Sequence, residues 1–510
     1  MRAAREAFRD VFSLDLRSLA VMRVGLASVV LTDLAIRFSD FGAMYSSSGM
    51  APVEMVRSLQ RVPAWSLHLL SGSDAWQATL FVIAALLAVA LLVGWQTRLA
   101  VVGSWILLSS VQVRMPLVLN AGDTLLRVAL FWGMFLPLGA VWSLDSYRRG
   151  KDQRDKPSGS PDASLLSRYR NPFFSAAAFA LIVQLALVYW FAGWAKWNDA
   201  WLQEDALGNV FKFGLYGLPL GAALSDYPAL TLFFSRATVW FELLGPLLLF
   251  IPWQTTRLRM IAIIGFVLLH VGIAVTMTVG LFSYAAIAVW MGMLPSDFWN
   301  RWSRFRLDSL APVDCAAQAL PTRGKLRWAG SAGVLALLFV TIYWNVTSEI
   351  SPRSMNKFDW GMRAAAHLTN LRQNWGVFGR PPREDRWFVY QARLKNGESV
   401  DLLSGGSEIL DHKPALSSRQ FANHRWRKLH LRICSDNCTP YRQPMAEYFV
   451  RRWNATHPEE EQVVRLDFYY YLQAFDQNGI GGDHIRKMLA QQVLSEGGNF
   501  AEALRNGEDF

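Results

Sequence analysis

Long apolar runs separated by short polar segments make up most of the first 350 residues of the chain. A helix of about 20 mostly apolar residues crosses the hydrocarbon core of a bilayer. The pattern contains nine such runs, at 19–37, 75–95, 99–118, 124–142, 173–195, 228–252, 258–279, 281–297 and 328–347. Hydropathy alone leaves open whether the stretch 258–297 forms one span or two. The pattern predicts a polytopic α-helical membrane bundle of about eight to nine transmembrane helices.

After residue 350 the pattern becomes that of a water-soluble domain. The segments 387–394 and 399–403 flank Asn396-Gly397, an arrangement typical of a β-hairpin. Further strands are predicted over 426–433 and 463–472, and helices over 444–454 and 485–494. The chain therefore divides into a transmembrane helical domain over residues 1–349 and an α+β domain over residues 350–510.

Composition indicates that the bundle lies in a membrane, and the distribution of charge indicates its orientation. Only 18% of the residues are charged, against about 25% in soluble proteins. The net charge of +11 comes from basic residues beside the apolar runs, a distribution that argues against nucleic acid as a partner. Alternate loops hold roughly three times as many Lys and Arg as the others. This bias predicts a multi-pass protein of the cell (inner) membrane, with a cytoplasmic N-terminus and an extracytoplasmic C-terminal domain.

Ionisable side chains within predicted spans are costly in lipid, so each is a functional hypothesis. The side chains selected on this ground are Arg23, Asp123, Arg127, Glu242 and His270. Asp123 and Arg127 are spaced to pair on one helix face, and Glu242 needs a cationic partner, for which Arg23 or Arg127 is the natural choice. The alternative is a buried ion-pair network that fixes helix register. No second His or Cys stands at metal-ligand spacing from His270, so no metal is expected.

Lys196 stands at the predicted outer end of the fifth span, in the segment Trp194-Ala-Lys-Trp-Asn-Asp-Ala-Trp201. A wall formed by Trp194, Trp197 and Trp201 would disfavour the charged ammonium group and turn the lysine into a usable base. The alternative is an interfacial lysine that extends to the membrane surface from an aromatic belt.

Cys434 and Cys438 form a C-x-x-x-C pair in the C-terminal domain. On the oxidising side of a membrane a local disulfide is expected, with free thiols and a redox-active pair as the alternatives. The chain contains no phosphate-binding loop, nucleophile elbow or H-E-x-x-H motif, which disfavours nucleotide-driven and hydrolase chemistry.

Several segments, taken in order, resemble a known family. They are 15–23, 45–52, 94–98, 120–123, 136–139, 142–145, 191–196 and 241–246. Together they are similar to the horizontally transferred transmembrane (HTTM) domain, the membrane module shared with vitamin K-dependent gamma-carboxylases, and the chain resembles a bacterial member. The likeness covers roughly residues 14–300, and 374–382 resembles the start of the family's outer domain.

In the carboxylases, an Ala-Gly-x-x-Lys segment supplies the base that deprotonates vitamin K hydroquinone. Oxygenation then yields a stronger base that removes a proton from glutamate, and carbon dioxide adds to the carbanion. Lys196 matches that lysine in Ala192-Gly-Trp-Ala-Lys196, and Trp201 matches a downstream tryptophan. The carboxylases have a histidine soon after the asparagine that Asn120 matches. Here Asp123 stands nearby and no histidine follows, which counts against full carboxylase activity.

The sequence leaves open whether the chain is an enzyme. The leading hypothesis is a gamma-carboxylase-like lyase or oxidoreductase that takes a lipid-soluble quinol such as vitamin K hydroquinone from the bilayer. Lys196 would be its base, and Arg23, Asp123, Arg127, Glu242 and His270 its supporting polar network. The alternative is a non-enzymatic scaffold or maturation factor that binds a secreted protein or peptide through its C-terminal domain. A small-molecule carrier ranks last, because the chain has no symmetric halves.

Overall fold

A computed structural model describes residues 2–60, 64–154, 172–302, 324–350, 357–407, 409, 412–414, 417–475 and 481–493. The longer helices of the first 350 residues are α1 Arg2–Phe12, α2 Leu16–Ser39, α3 Asp74–Val93, α4 Thr97–Arg114, α5 Ala121–Gly133, α6 Leu144–Arg154, α7 Ala176–Ala195, α8 Pro228–Leu244, α9 Thr255–Thr276, α10 Phe282–Met291 and α11 Gly324–Ile350. Shorter helices lie at Phe41–Met44, Val53–Ser58, Asp199–Leu202, Ala206–Lys212, Pro219–Leu224 and Ser296–Asn300. A two-stranded sheet pairs β1 Ser13–Leu14 with β2 Phe173–Phe174.

Six helices of the described residues are long and apolar enough to cross a membrane, as expected of a multi-pass membrane protein. They are α2, α3, α7, α8 with its extension to Leu249, α9 and the Trp328–Ser348 part of α11. The predicted count of eight to nine is not confirmed. The predicted spans 124–142 and 281–297 contain helices of only 13 and 10 residues, α5 and α10. The stretch 258–297 is two helices, because the chain turns between them at Gly280, where φ is +71°.

Side-chain caps fix where the helices that carry the site begin. The Asn120 side chain accepts hydrogen bonds from the backbone N–H groups of Gly122 and Asp123, and the Asp123 carboxylate accepts one from the backbone N–H of Asn120. This capping box starts α5 and holds Asp123 in its first turn. Ser175 caps α7 by accepting from the backbone N–H of Ala178. The helix α7 ends 20 residues later, and Lys196 is its C-terminal cap residue.

The C-terminal domain is built on an antiparallel four-stranded sheet. Its strands are β3 Glu384–Leu394, β4 Ser399–Asp401, β5 Val463–Phe475 and β6 Gly481–Val493, in the spatial order β4-β3-β5-β6. Its helices are α12 Lys357–Leu368, α13 His424–Ile433 and α14 Arg442–Asn454. One buried apolar cluster contains side chains of both the bundle and this domain, so the two parts share a packed interface.

Two predicted elements of the C-terminal domain are wrong, whereas the hairpin, the helix over 444–454 and the strand over 463–472, which lies within β5, are confirmed. The hairpin at Asn396-Gly397 joins β3 to β4, with Gly397 at φ +88°, and α14 covers the helix predicted over 444–454. The predicted strand over 426–433 is the helix α13, because helical spacing places Trp426, Leu429 and Ile433 together in the core. The predicted helix over 485–494 is the strand β6, which pairs with β5 along most of its length; such pairing overrides local propensity.

Candidate functional site

Lys196 forms a buried ion pair at the end of α7. Its ammonium nitrogen Nζ lies 2.8 Å from Oε2 of Glu242 on α8, and Lys196 and Glu242 are only 5% and 6% exposed. Nζ also donates to the carbonyl oxygen of Ala192 at 3.3 Å and lies 5.4 Å from the ring centroid of Trp201. The Trp201 indole donates to the carbonyl oxygen of Phe378, which fixes the ring. The amine is therefore held by a carboxylate, a carbonyl and an aromatic face.

A glycine lets the two helices approach closely enough for this pair. A Cβ atom at Gly193 would lie 2.9 Å from Cγ of Leu243 and 3.2 Å from Cβ of Glu242. Atoms at such distances would have to move apart, so a larger residue would separate α7 from α8. The Gly of the Ala-Gly-x-x-Lys segment therefore positions the lysine through backbone packing.

The aromatic wall expected around Lys196 is only partly present. Trp201 is 2% exposed and faces the ammonium group, whereas Trp194 and Trp197 are 63% and 46% exposed. Trp197 packs edge-on against Trp240 at 5.1 Å. Successive residues of a helix point about 100° apart, so neighbours in sequence cannot all face one side chain. The wall predicted from three tryptophans is thus corrected to one.

Lys196 and Glu242 line a cavity of about 530 Å³ among α7, α8 and α9. Most of its other lining side chains are apolar, and His270 of α9 is the remaining basic one. Several lining side chains of α8 and α9 are also exposed on the outside of the bundle, including Phe234 at 48% and Leu268 at 63%. The cavity thus lies directly beneath an apolar outer surface of helices that can span a membrane.

His270 brings an unsatisfied polar atom to this cavity. Its Nε2 lies 2.7 Å from the hydroxyl of Tyr189, and that hydroxyl accepts a hydrogen bond from the indole of Trp290 at 2.6 Å. The Tyr189 hydroxyl, while it accepts from the indole, can donate its own proton to Nε2, and in that arrangement the imidazole proton is on Nδ1. The buried Nδ1 has no hydrogen-bond partner among the described residues.

A second buried cluster joins the bundle to the C-terminal domain. Arg37 of α2 binds Asp33 at 2.8 Å and Asp123 of α5 at 2.7 Å. Arg425 of α13 binds Asp123 at 3.0 Å and also Asp33. We call these four side chains the buried quartet. Asp123 therefore pairs with Arg37 and Arg425, and the pairing with Arg127 expected from sequence is wrong.

Arg23 and Arg127 hold backbone carbonyls and do not reach Glu242. Arg127 donates to the carbonyls of Asn370 and Arg372 at 2.9 and 2.7 Å. Arg23 donates to the carbonyls of Leu91, Leu92 and Trp142. The expectation that one of these arginines neutralises Glu242 is wrong, because Lys196 does so. Sequence reasoning also missed Arg425, which directly precedes the segment 426–433 that was predicted to be a strand.

The two cysteines of the C-terminal domain are free thiols, so the expected disulfide is not formed. The thiol of Cys434 donates to the carbonyl of His430 at 3.3 Å, and burial raises the pKa of Cys434 to about 11. Within the described ranges, no three His, Cys, Asp or Glu side chains are grouped to hold a metal ion.

Comparison with known proteins gives one match. The family model described as the HTTM domain matches residues 13–299, which is more than half of the chain and contains Lys196, Glu242 and His270. No curated protein matches significantly, and no solved structure does.

Proposed function

The chain belongs to the HTTM domain family of gamma-carboxylase-related membrane proteins, and from this premise we propose that it is a membrane-embedded enzyme acting on a lipid-soluble quinol. Lys196 is its base. The observation that carries the proposal is the Lys196–Glu242 ion pair in the wall of an apolar cavity. A charge pair is expensive to bury, and a few placed polar groups in an otherwise apolar cavity are typical of ligand sites.

The residues present suit such a ligand. A volume of about 530 Å³ lies within the range of pockets that hold small molecules, which are mostly apolar with a few placed polar groups. The unpartnered Nδ1 of His270 and the third N–H of Lys196 are the polar atoms available to ring oxygens. The apolar outer surface over the cavity favours entry from lipid.

The ion pair explains how a lysine can act as a base in this setting. Nζ of Lys196 and Oε2 of Glu242 are 2.8 Å apart. Because burial penalises both charges, the proton can pass from the amine to the carboxylate, which leaves a neutral amine and a neutral acid. When bound, a quinol supplies an acidic ring hydroxyl and reducing power towards oxygen. Nζ then accepts the hydroxyl proton, and the face of Trp201 stabilises the ammonium that forms.

The test compares membranes that contain the wild type with those containing Lys196→Arg, Glu242→Gln or the control Lys212→Ala, whose side chain is exposed. Arginine can keep the ion pair but cannot give up its proton. We therefore expect Lys196→Arg to fold and to lower quinol-dependent oxygen uptake by about 100-fold or more, the usual contribution of a general base. Glu242→Gln should lower quinol-dependent oxygen uptake in parallel, and Lys212→Ala should leave it unchanged. Wild-type membranes that show neither oxygen uptake nor carbon dioxide fixation with several quinols would exclude the enzyme.

One observation favours the alternative of a scaffold that binds a secreted protein or peptide. Strand β6 is at the edge of the sheet, and its residues from Gly482 to Met488 are all exposed. Such an edge can pair with an extended peptide. A photo-crosslinker at Arg486 would then capture a partner under native expression, and one at Lys395, in the exposed β3–β4 turn, would not. Equal capture at both positions, or none, would count against this function.

A further inference from the structure

A second and larger cavity lies between the bundle and the C-terminal domain. It has a volume of about 1060 Å³, and α5 and α13 contribute to its lining. The six Arg and Lys side chains in the lining are Arg127, Arg372, Arg380, Arg427, Lys428 and Arg432. His367 and His424 also line it, whereas no described Asp or Glu does. We call this space the cationic cavity.

Three arginines of the cationic cavity are held by neutral groups. Arg427 is 6% exposed and donates to the carbonyls of Leu215 and Thr278. Arg432 donates to the carbonyls of Pro116 and Leu119, and Arg127 is held in the same way by two carbonyls and the Gln112 amide oxygen. Buried charges in proteins are normally paired. These contacts orient the guanidinium groups but leave their positive charge without a counter-ion in contact.

The carboxylate of Asp123, which acts electrostatically on Arg127, Lys428 and Arg432, is already engaged. Oδ1 of Asp123 accepts from both Arg37 and Arg425, and its Oδ2 accepts from the backbone N–H of Asn120. Asp123 therefore balances the quartet and cannot also neutralise the cavity.

Three nitrogens of lining residues lack partners. Nε of Arg372, Nδ1 of His367 and Nε2 of His424 are buried without a hydrogen bond among the described residues. Buried donors and acceptors are almost always satisfied. The cations also lie close to one another. Burial, with Arg432 and Arg427 nearby, lowers the pKa of Lys428 to about 8. The unpartnered Nε–H of Arg372 and the crowded cations are features of a site that lacks an anion.

We propose that the cationic cavity binds a multiply charged oxyanion, a phosphate or diphosphate group. One carboxylate would balance one of six cations, whereas a phosphate ester carries a charge of about −1.5 to −2 at neutral pH and three acceptor oxygens. Guanidinium groups match phosphate oxygens in pairs. The cavity shares Phe282 and Phe378 with the apolar cavity beside Lys196. The phosphate can therefore belong to a soluble molecule or to a lipid whose chain enters the apolar cavity.

The test is calorimetric titration of the full chain in phosphatidylcholine nanodiscs at constant ionic strength, without quinol. We expect diphosphate to bind more tightly than inorganic phosphate, and acetate at least about tenfold more weakly than either, a difference of about 1.4 kcal/mol. Arg380→Gln combined with Lys428→Gln should weaken diphosphate binding at least about tenfold. Among the described residues, these two side chains make no hydrogen bond that the fold would lose. Arg393→Gln, an exposed arginine on β3, is the matched control.

Anionic nanodiscs separate the two sources. If phosphatidylglycerol competes with diphosphate, a lipid headgroup occupies the site, and if it does not, a soluble phosphate does; both results support the oxyanion site. The proposal is overturned if diphosphate gives no binding, if acetate binds as tightly, or if Arg393→Gln weakens binding as much as the double variant. None of these outcomes depends on Lys196, so the failure of this site and that of the quinol enzyme are distinguishable.

Discussion

Replacing Arg425 by leucine removes the guanidinium group through which the C-terminal domain binds two carboxylates of the bundle. The side chains of the quartet are at most 2% exposed, and their two negative and two positive charges balance. Without Arg425, Asp33 and Asp123 share Arg37 alone, and one negative charge is buried without a partner. Removal of one member of a buried ion pair costs about 3–5 kcal/mol. We expect the free energy of unfolding to fall by that amount.

The assay is equilibrium unfolding of the purified protein in detergent, followed by tryptophan fluorescence. In Arg425→Leu with Asp123→Asn, the remaining Asp33–Arg37 pair is neutral. The double variant should therefore lose at least about 1 kcal/mol less than the sum of the two single losses. Arg393→Leu, at an exposed position, should change stability by no more than about 0.5 kcal/mol. A loss below about 1 kcal/mol for Arg425→Leu, or additive losses in the double variant, would refute the reasoning.

Two further predictions concern packing and thiol chemistry. Gly193→Val should push α7 away from Leu243 and lower the free energy of unfolding by about 1–3 kcal/mol. Gly333→Val, at a position with open space around its Cβ, should not lower it. Equal stability of the two variants would contradict the close packing. With the pKa of Cys434 at about 11, roughly 0.1% of the thiol is ionised at pH 8, against about a quarter for an ordinary cysteine. Maleimide should therefore label Cys434 about 100-fold more slowly in the folded than in the denatured protein, and its rate should rise with pH up to about pH 11. Peptide mapping without reductant is the check, and a Cys434–Cys438 disulfide would disprove the free-thiol state.

Hydrophobic patterning predicted the bundle well, because a run of about 20 apolar residues has few ways to be stable other than as a helix in lipid. The predicted count of eight to nine spans is not confirmed, because hydropathy does not locate helix ends. The run 124–142 continues past Gly133, where α5 ends. In the C-terminal domain, Leu429, Leu431 and Ile433 alternate with polar residues as in a strand, yet the segment is helical. A short segment fits both periods, and tertiary packing decides between them.

Residue chemistry singled out Lys196 and Glu242 from the sequence, but it could not predict that the two side chains form an ion pair. The two residues are 46 positions apart on different helices, and their contact depends on the rotation and depth of α7 against α8. Gly193 is the one local signal of that contact, because a glycine within an apolar helix often marks a close approach. Trp194 and Trp197 were predicted beside the lysine from proximity in sequence, which helical geometry does not preserve.

The position of Asp123 bears on which chemistry the chain can carry out. It stands near the place where the carboxylases have a histidine, and the sequence analysis placed it in the supporting polar network of the site. Two guanidinium groups and a backbone N–H bind its carboxylate, and each of these contacts stabilises the charged form. A carboxylate held in that form is a poor proton acceptor, and its position couples α2 and α5 to the C-terminal domain. The proton transfer that we propose for this fold therefore rests on Lys196 and Glu242, where one short hydrogen bond joins a buried amine to a buried carboxylate.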